Sequence, residues 1–539
     1  MTKITSLKEI LKKQNIDVFI LPSNDKFGNE YTPPHERRLE WLTGFTGSNG
    51  VALVMADKQL FFTDGRYTLQ AKNEVQGFEI LNIKEISPYE WINKNMPRAK
   101  VGFDVLLHSE KQVRKLNHPV PLQHNPIDEI WTDKPPATHH PIFKHALKYA
   151  GKSSIEKRQE ICENLIADEL IITDSASVNW LLNIRGGDVP NTPLALCCAV
   201  LHKNTDVDLY IDTAKIPKGF KWDNDVFVFD ISDMKNRMVK LAGEIQIDVN
   251  APYGIAKQFR TATKTTCPIA LLKACKNPVE IKGVKNAHKK DGVAVTKFLN
   301  WLGQQDETTE IAAVQKLEEF RREGEAFLYP SFDTISAFGA NAAIVHYTVN
   351  EKSNTPVKAD GLYLVDSGGQ YLNGTTDVTR TVAIGTPTQQ QKEDFTRVLK
   401  GHIALARTVF PEGTTGSQLD AIARQHLWAN GKDYEHGTGH GVGYCLSVHE
   451  FPPNITRKAK AGVDVALRNG MILSNEPAYY KEGEYGIRIE NMMLVVPSKY
   501  EGFLAFETLT RIPIDVSLVE YSMLTADEKQ WLDEYNNAL

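Results

Sequence analysis

Twice in its first half the chain repeats one grammar: an amphipathic helix, an apolar strand, a Trp-Leu segment with glycines, and further strands. In the first copy, Leu7 to Lys13 leads into IDVFILPSND, WLTGFTGSNG from Trp41, VALVMA, and LFFTDGRY ending at Tyr67. In the second, Arg158 to Leu165 leads into ADELIITDSAS, WLLNIRGGD from Trp180, LALCCAVL, and VDLYIDT ending at Thr213. Short apolar runs bounded by Gly, Pro, Asn and Asp read as strands, and their mixture with helical periodicity reads as α/β. Two similar α/β modules are expected. The first carries an extra loop, NEYTPPHERRLE, so pattern is shared and identity is not.

The cluster WTDKPPATHHP, Trp131 to Pro141, suits a linker because Pro continues neither a helix nor a central strand. A second boundary falls near Lys276-Asn277-Pro278, before apolar positions at helical spacing from Ile281 to Leu302. The expected domains are therefore 1–134, 135–275 and 276–539. A chain of 539 residues is long enough for several cores. Its 62 Lys+Arg against 67 Asp+Glu leave a net charge of −5, and no basic patch stands out, so no nucleic acid partner is expected. The longest apolar run, Leu194 to Leu201, is far short of the ~20 residues a membrane span needs, and no membrane partner is expected. The six cysteines, two of them adjacent at 197 and 198 in an apolar run, read as buried thiols, which makes the cytoplasm the default compartment.

The chemistry lies in the third region. GLYLVDSGGQYLNGTTDVTRTVAIG reads as antiparallel strands with Asp366 at the end of the first β-branched run and Asp377 in the second. A carboxylate there is costly to bury without a partner or a cation. In HGTGHGVG, His436 and His440 stand four apart, but glycines at 437, 439, 441 and 443 make a poor helix and exclude a helical zinc pair. Such a backbone instead permits close approach. Glu476 precedes Pro477, and Arg488 and Glu490, two apart, are expected on one strand face, with Arg488 either the partner of Glu490 or a guide to other ligands. Asp366, Asp377, His440, Glu476 and Glu490 supply four carboxylates and one imidazole, a hard set suited to two divalent ions.

With these residues in hand, the third region resembles the metallopeptidase family with the pita-bread fold, and the whole chain resembles its three-domain Xaa-Pro aminopeptidases. The likeness runs through WLTGFTGSNG, FTDGRYTLQA, WLLNIRGGDV, FDTISAFGANAAIVHYTV, YLVDSGGQYLNGTTDVTRT, YEHGTGHGVG, SVHE, SNEPAYY and GIRIENMMLVV. It implies two α/β domains followed by a pita-bread catalytic domain, and hydrolysis of the N-terminal Xaa-Pro bond by a hydroxide shared between two metal ions. It implies Asp366 on one ion, His440 and Glu476 on the other, and Asp377 and Glu490 bridging. Manganese is the family's usual metal, with zinc or cobalt able to occupy the same set. By the same resemblance Glu476 relays a proton, His346 and His449 contact substrate carbonyls and the oxyanion, His436 shuttles protons, Arg66 contacts peptide, and Arg488 orients ligands from behind. The implied partners are peptides with proline second and a second copy in a homodimer. Prolidase, methionine aminopeptidase and a non-catalytic peptide- or histone-binding module of the same fold are the alternatives.

Overall fold

The computed structural model describes residues 2–457 and 464–538. The chain divides into two compact units, Met1–His145 with Lys152–Ile269, and Ala146–Gly151 with Ala270–Leu539. Among the described residues no helix is long and apolar enough to cross a membrane. All six cysteines are free, and five are buried.

The first unit opens with helix α1 (Lys3–Lys13), where the Thr2 side chain accepts from the Thr5 N–H and Leu7 and Leu11 are buried. Strands β1 (Val18–Pro22), β2 (Gly50–Met55), β3 (Gln59–Thr63), β4 (Glu79–Asn82), β5 (Val101–Asp104) and β6 (Pro119–Leu122) form a sheet in the order β4-β3-β2-β1-β5-β6. After helix α2 (Ser154–Glu163) come β7 (Glu169–Ile172), β8 (Cys197–His202), β9 (Val207–Ile211), β10 (Val226–Asp230), β11 (Ile245–Asp248) and β12 (Thr263–Thr265). Their order is β10-β9-β8-β7-β11-β12.

The two sheets agree step for step. In each, the first two pairings along the chain are antiparallel, the fourth strand adds in parallel, and the last two strands run parallel to the first. The shared sequence grammar is thus a shared topology. Both faces of a central strand are covered, which explains its unbroken apolar run. Val18 and Ile20 enter one core with Leu53, Leu60 and Phe62, while Phe19 and Leu21 enter the opposite core with Ala52, Val54 and Phe61.

In the second unit, helix α3 (Pro278–Leu302) begins where Asn277 and Glu280 satisfy each other's backbone N–H groups and Pro278 presets the first turn. Helix α4 (Glu310–Arg322) follows, capped by Thr309. A three-stranded antiparallel sheet holds β13 (Ile335–Phe338), β14 (Gly361–Ser367) and β15 (Val378–Ile384) in that order. Helix α5 (Gln389–Ala406), strand β16 (Val409–Pro411) and helix α6 (Gly416–Trp428) lead to β17 (Gly439–Gly441), β18 (Glu450–Ile455) and β19 (Ile472–Asn475). A hairpin of β20 (Ala478–Lys481) and β21 (Tyr485–Arg488) precedes β22 (Asn491–Pro497), β23 (Phe503–Thr508) and the terminal helix α7 (Ala526–Asn537). The six-stranded sheet has the order β16-β23-β22-β19-β17-β18. Val398, Leu399 and Ile403 of α5 pack with Ile487 of the hairpin and Leu532 of α7, each worth about 1.5–3 kcal/mol on burial.

Candidate metal centre

Asp366 stands near the end of β14, and the register opposite it is Thr379 of β15. Asp377 comes one residue before β15 begins, outside the strand that its sequence context suggests, and it is buried there. Glu490 departs from its expectation in the same way. Strand β21 ends at Arg488, and Glu490 falls in the two-residue break before β22, where the chain leaves the hairpin for the six-stranded sheet. Its N–H still finds a partner, the Thr379 carbonyl at 3.1 Å.

The glycines around His440 act as the sequence suggests. A Cβ at 439 would lie 2.0 Å from the Ser474 carbonyl oxygen, and one at 441 would lie 2.3 Å from that of Glu450. Only glycine lets β17 fit between β18 and β19. His440 Nδ1 then donates to the Gly441 carbonyl at 2.9 Å, which turns Nε2 inward, 3.4 Å from Asp377 Oδ2 and 3.6 Å from Glu476 Oε1. Glu476 follows β19, its N–H bonded to the Thr438 carbonyl at 2.8 Å and its Oε1 accepting from the Ser474 hydroxyl at 3.0 Å. Ligand atoms of Asp377, His440 and Glu490 all lie within 4.8 Å of one another.

The electrostatics register the crowding. Burial, together with the charges of Asp366 and Glu476 and against the His440 bond, pushes the Asp377 carboxyl up to about 6. Burial and the charges of Asp377, Asp366 and Glu476 push Glu490 well above the usual carboxylate range. Burial opposes a charge on His440, but the Asp377 hydrogen bond and the Glu476 charge win and lift it to about 9. Asp366 Oδ1 and Asp377 Oδ1 are buried with no hydrogen-bond partner among the described residues. Four converging carboxylates, two with orphaned oxygens, fit divalent cations by donor chemistry and by charge.

Arg488 resolves the two options its sequence left open. Its Nη2 donates to Asp366 Oδ2 at 2.6 Å, and its Nε donates at 3.0 Å to the Thr379 hydroxyl, which donates at 2.8 Å to Glu490 Oε2. It therefore holds one carboxylate directly and another through Thr379. Its Nη1 reaches the Tyr480 hydroxyl at 2.5 Å, which in turn stands 2.9 Å from His436 Nε2. His436 Nδ1 donates to the Gly437 carbonyl at 2.7 Å and lies 3.7 Å from Glu476 Oε2. Burial, with Arg488 nearby, keeps that ring neutral by pushing its pKa well below the usual value. The His449 ring meets His440 edge-on with centroids 4.4 Å apart. His346 follows Val345, whose carbonyl is 3.5 Å from Arg488 Nη1, and it is among the groups that help to lower the His436 pKa. No motif in the sequence marks Thr379, Tyr480 or Ser474, although Thr379 shares the alternation of DVTRT with Asp377.

Arg66 belongs to the first unit. There its Nε and Nη2 grip Asp64 at 2.9 and 2.8 Å, and this grip, against the effect of burial, holds the Asp64 carboxyl at about 2.

Residues 282–497 match Metallopeptidase family M24, and 502–539 match the C-terminal region of that peptidase. Residues 3–125 and 133–280 each match a Creatinase/Prolidase N-terminal domain. Fold and site together thus define a metallopeptidase. A probable Xaa-Pro aminopeptidase P of Laccaria bicolor is 37% identical over 99% of this chain and 89% of its own length. Xaa-Pro aminopeptidase 1 of Dictyostelium discoideum is 37% identical over 99% of this chain and 91% of its own. The crystal structure of X-prolyl aminopeptidase from Caenorhabditis elegans, described as a cytosolic enzyme with a di-nuclear active site, superposes with a TM-score of 0.95 at 32% identity, covering 99% of this chain and 94% of that one. The chain belongs to the Xaa-Pro aminopeptidase family of M24 metallopeptidases.

Proposed function

We propose that this protein removes the first residue from peptides whose second residue is proline, at a centre holding two divalent cations. The observation that carries the reading is the convergence of Asp377, His440 and Glu490 within 4.8 Å. Asp366 is assigned to one ion, His440 and Glu476 to the other, and Asp377 and Glu490 to both. Manganese suits so carboxylate-rich a set, and zinc and cobalt are the other candidates. When bound, two such ions lower the pKa of a shared water and polarise the scissile carbonyl.

The chain's own side chains supply the rest. Glu476 takes the water's proton on Oε2, the oxygen 3.7 Å from His436 Nδ1, and returns it to the departing proline nitrogen. His436 is assigned as the proton shuttle beside Glu476: its Nδ1–H lies 3.7 Å from Glu476 Oε2, and its Nε2 faces the Tyr480 hydroxyl at 2.9 Å. His449 and His346 donate to the substrate carbonyl and the developing oxyanion. Arg488 orients Asp366 and, through Thr379, Glu490. Arg66 is assigned to peptide binding on the family resemblance.

The division into domains 1–134, 135–275 and 276–539 belongs to the same proposal, supported by the two sheets of like order in the first unit. A cytoplasmic homodimer completes it, supported for location by the cytosolic relative. Arg-Pro-Pro, Met-Gly-Met and Gly-Pro separate this activity from those of a methionine aminopeptidase and a prolidase. Release of arginine from Arg-Pro-Pro is expected, and hydrolysis of only the other two would overturn the reading.

A further inference from the structure

Behind the carboxylates lies a second set of buried polar groups that the proposed chemistry does not use. Asn475 and Asn491 are the chain neighbours of Glu476 and Glu490, and both are buried. One imidazole joins them. His402, on α5, lies with Nδ1 3.1 Å from the Asn475 carbonyl and Nε2 3.0 Å from Asn491 Nδ2, while Asn475 Nδ2 returns a bond to the His402 carbonyl at 3.0 Å. The carbonyl requires a donor at Nδ1 and the amide an acceptor at Nε2, so the ring is a neutral tautomer. Burial, with Arg380 adding to it, pushes its pKa down to about 3, in agreement with that assignment.

Arg380 closes the set from the other side. Its guanidinium is buried and donates to the carbonyls of Glu490 (2.8 Å), Thr379 (2.8 Å), Ile512 (2.7 Å) and Pro513 (2.9 Å), to Asn491 Oδ1 (2.8 Å), and to the Tyr535 hydroxyl (2.9 Å). Every one of these acceptors is neutral. Desolvation of a guanidinium among neutral acceptors lowers its pKa and costs folding free energy, which the hydrogen bonds offset. Here Arg380 fixes the backbone of Glu490 to the terminal helix, because Tyr535 belongs to α7. The Tyr535 hydroxyl also sits 2.9 Å from the Ile512 carbonyl, and its ring stacks on Trp531, centroids 5.2 Å apart, which meets the His402 ring edge-on at 6.0 Å.

We infer that Arg380, His402 and Tyr535 are positioning residues that set the spacing of Glu476 and Glu490, so that the terminal helix is a structural part of the metal centre. They act through the neighbouring asparagines and the Glu490 backbone. This rests on the two-cation reading of the site.

The test measures equilibrium Mn2+ content by dialysis and elemental analysis, and KM and kcat for Arg-Pro-Pro at saturating Mn2+. Variants are Tyr535→Phe, His402→Gln and, as a control for lost stability, Leu532→Ala, a buried apolar side chain on the same helix. Groups that orient metal ligands from behind typically change affinity 10–100-fold. Tyr535→Phe is expected to raise the Mn2+ concentration for half-loading about 10-fold, leave KM unchanged and recover kcat when Mn2+ saturates. Leu532→Ala is expected to lower the melting temperature without moving the loading curve. If Tyr535→Phe and His402→Gln load like the wild type, or if Leu532→Ala shifts loading as much as they do, the network is only structural and the inference falls. A wild-type protein that took up none of Mn2+, Zn2+ and Co2+ would overturn the two-cation reading itself, so the two failures are distinguishable. Should His402→Gln not fold, Tyr535→Phe, which deletes one hydroxyl, decides alone.

Discussion

Two buried aspartates of the same unit, Asp291 and Asp377, meet opposite fates. Asp291 receives Arg321 Nε at 2.7 Å and Nη2 at 3.2 Å, with the Tyr371 hydroxyl at 2.8 Å. Burial alone would raise its pKa, but Arg321 overcomes that and holds it below the usual carboxylate value. Asp377 has three carboxylates and one imidazole as neighbours and is driven up to about 6. The fold has supplied one aspartate with its own cation. It has left the other with one imidazole that it shares with Glu476, amid an excess of carboxylates. The same contrast separates Glu450, buried between Lys273 and Lys276 at 2.7 and 2.6 Å, from Glu490. A buried carboxylate alone is therefore no mark of a metal site, whereas an excess of carboxylates over cations is.

The contrast breaks most sharply at Asp377 itself. Asp377→Asn or Glu490→Gln should lower kcat/KM by at least about 10³-fold, because several kcal/mol of cation stabilisation is lost. Both variants should fold, with the metal-free protein as stable as the wild type or more so, since like-charge repulsion is relieved; elemental analysis alongside circular dichroism checks this. Turnover that persists undiminished would erase the distinction between the two aspartates.

Asp291→Asn makes the complementary case. Arg321 would be left buried without its counter-ion, at a cost of about 3–5 kcal/mol in chemical denaturation, while metal content stays at the wild-type level. Loss of metal without loss of stability would place Asp291 on the other side of the comparison. Next in size is His449→Ala, expected to lower kcat about 10²-fold with metal retained; an unchanged kcat would return this ring to a packing role against His440.

The smallest effect sharpens the electrostatic half of the argument. His440 titrates at about 9 in the metal-free site, so at pH 7 it carries a proton that a metal ligand cannot keep. Metal uptake should therefore release at least about one proton per chain, and apparent affinity should weaken as pH falls. Titration calorimetry in buffers of different ionisation enthalpy measures the release. Uptake with no proton released would contradict the raised His440.

Much of this was legible in the sequence, and the limits have physical causes. The repeated strand grammar carried the two like sheets because a central strand covered on both faces must be apolar throughout. The glycines of HGTGHGVG implied close approach, and the Ser474 and Glu450 carbonyls are what approach. Strand ends were less readable: Asp377 and Glu490 lie just outside their strands, because the chain changes sheets there and hydrophobic alternation does not mark the turn. Arg488 stayed ambiguous for the same reason, since its partner, Asp366, lies in another strand more than a hundred residues away. Arg380 and His402 were invisible for a further reason. Their partners are mostly backbone carbonyls and asparagine amides, which no sequence pattern distinguishes.

The most direct test of a centre built from surplus buried carboxylates is a count of ions per chain. Protein loaded with Mn2+ and then dialysed should retain two divalent ions by elemental analysis, and Asp377→Asn should retain fewer and lose cleavage of Arg-Pro-Pro. Wild-type protein that cleaves Arg-Pro-Pro after stringent chelation, with no metal remaining, would contradict the account.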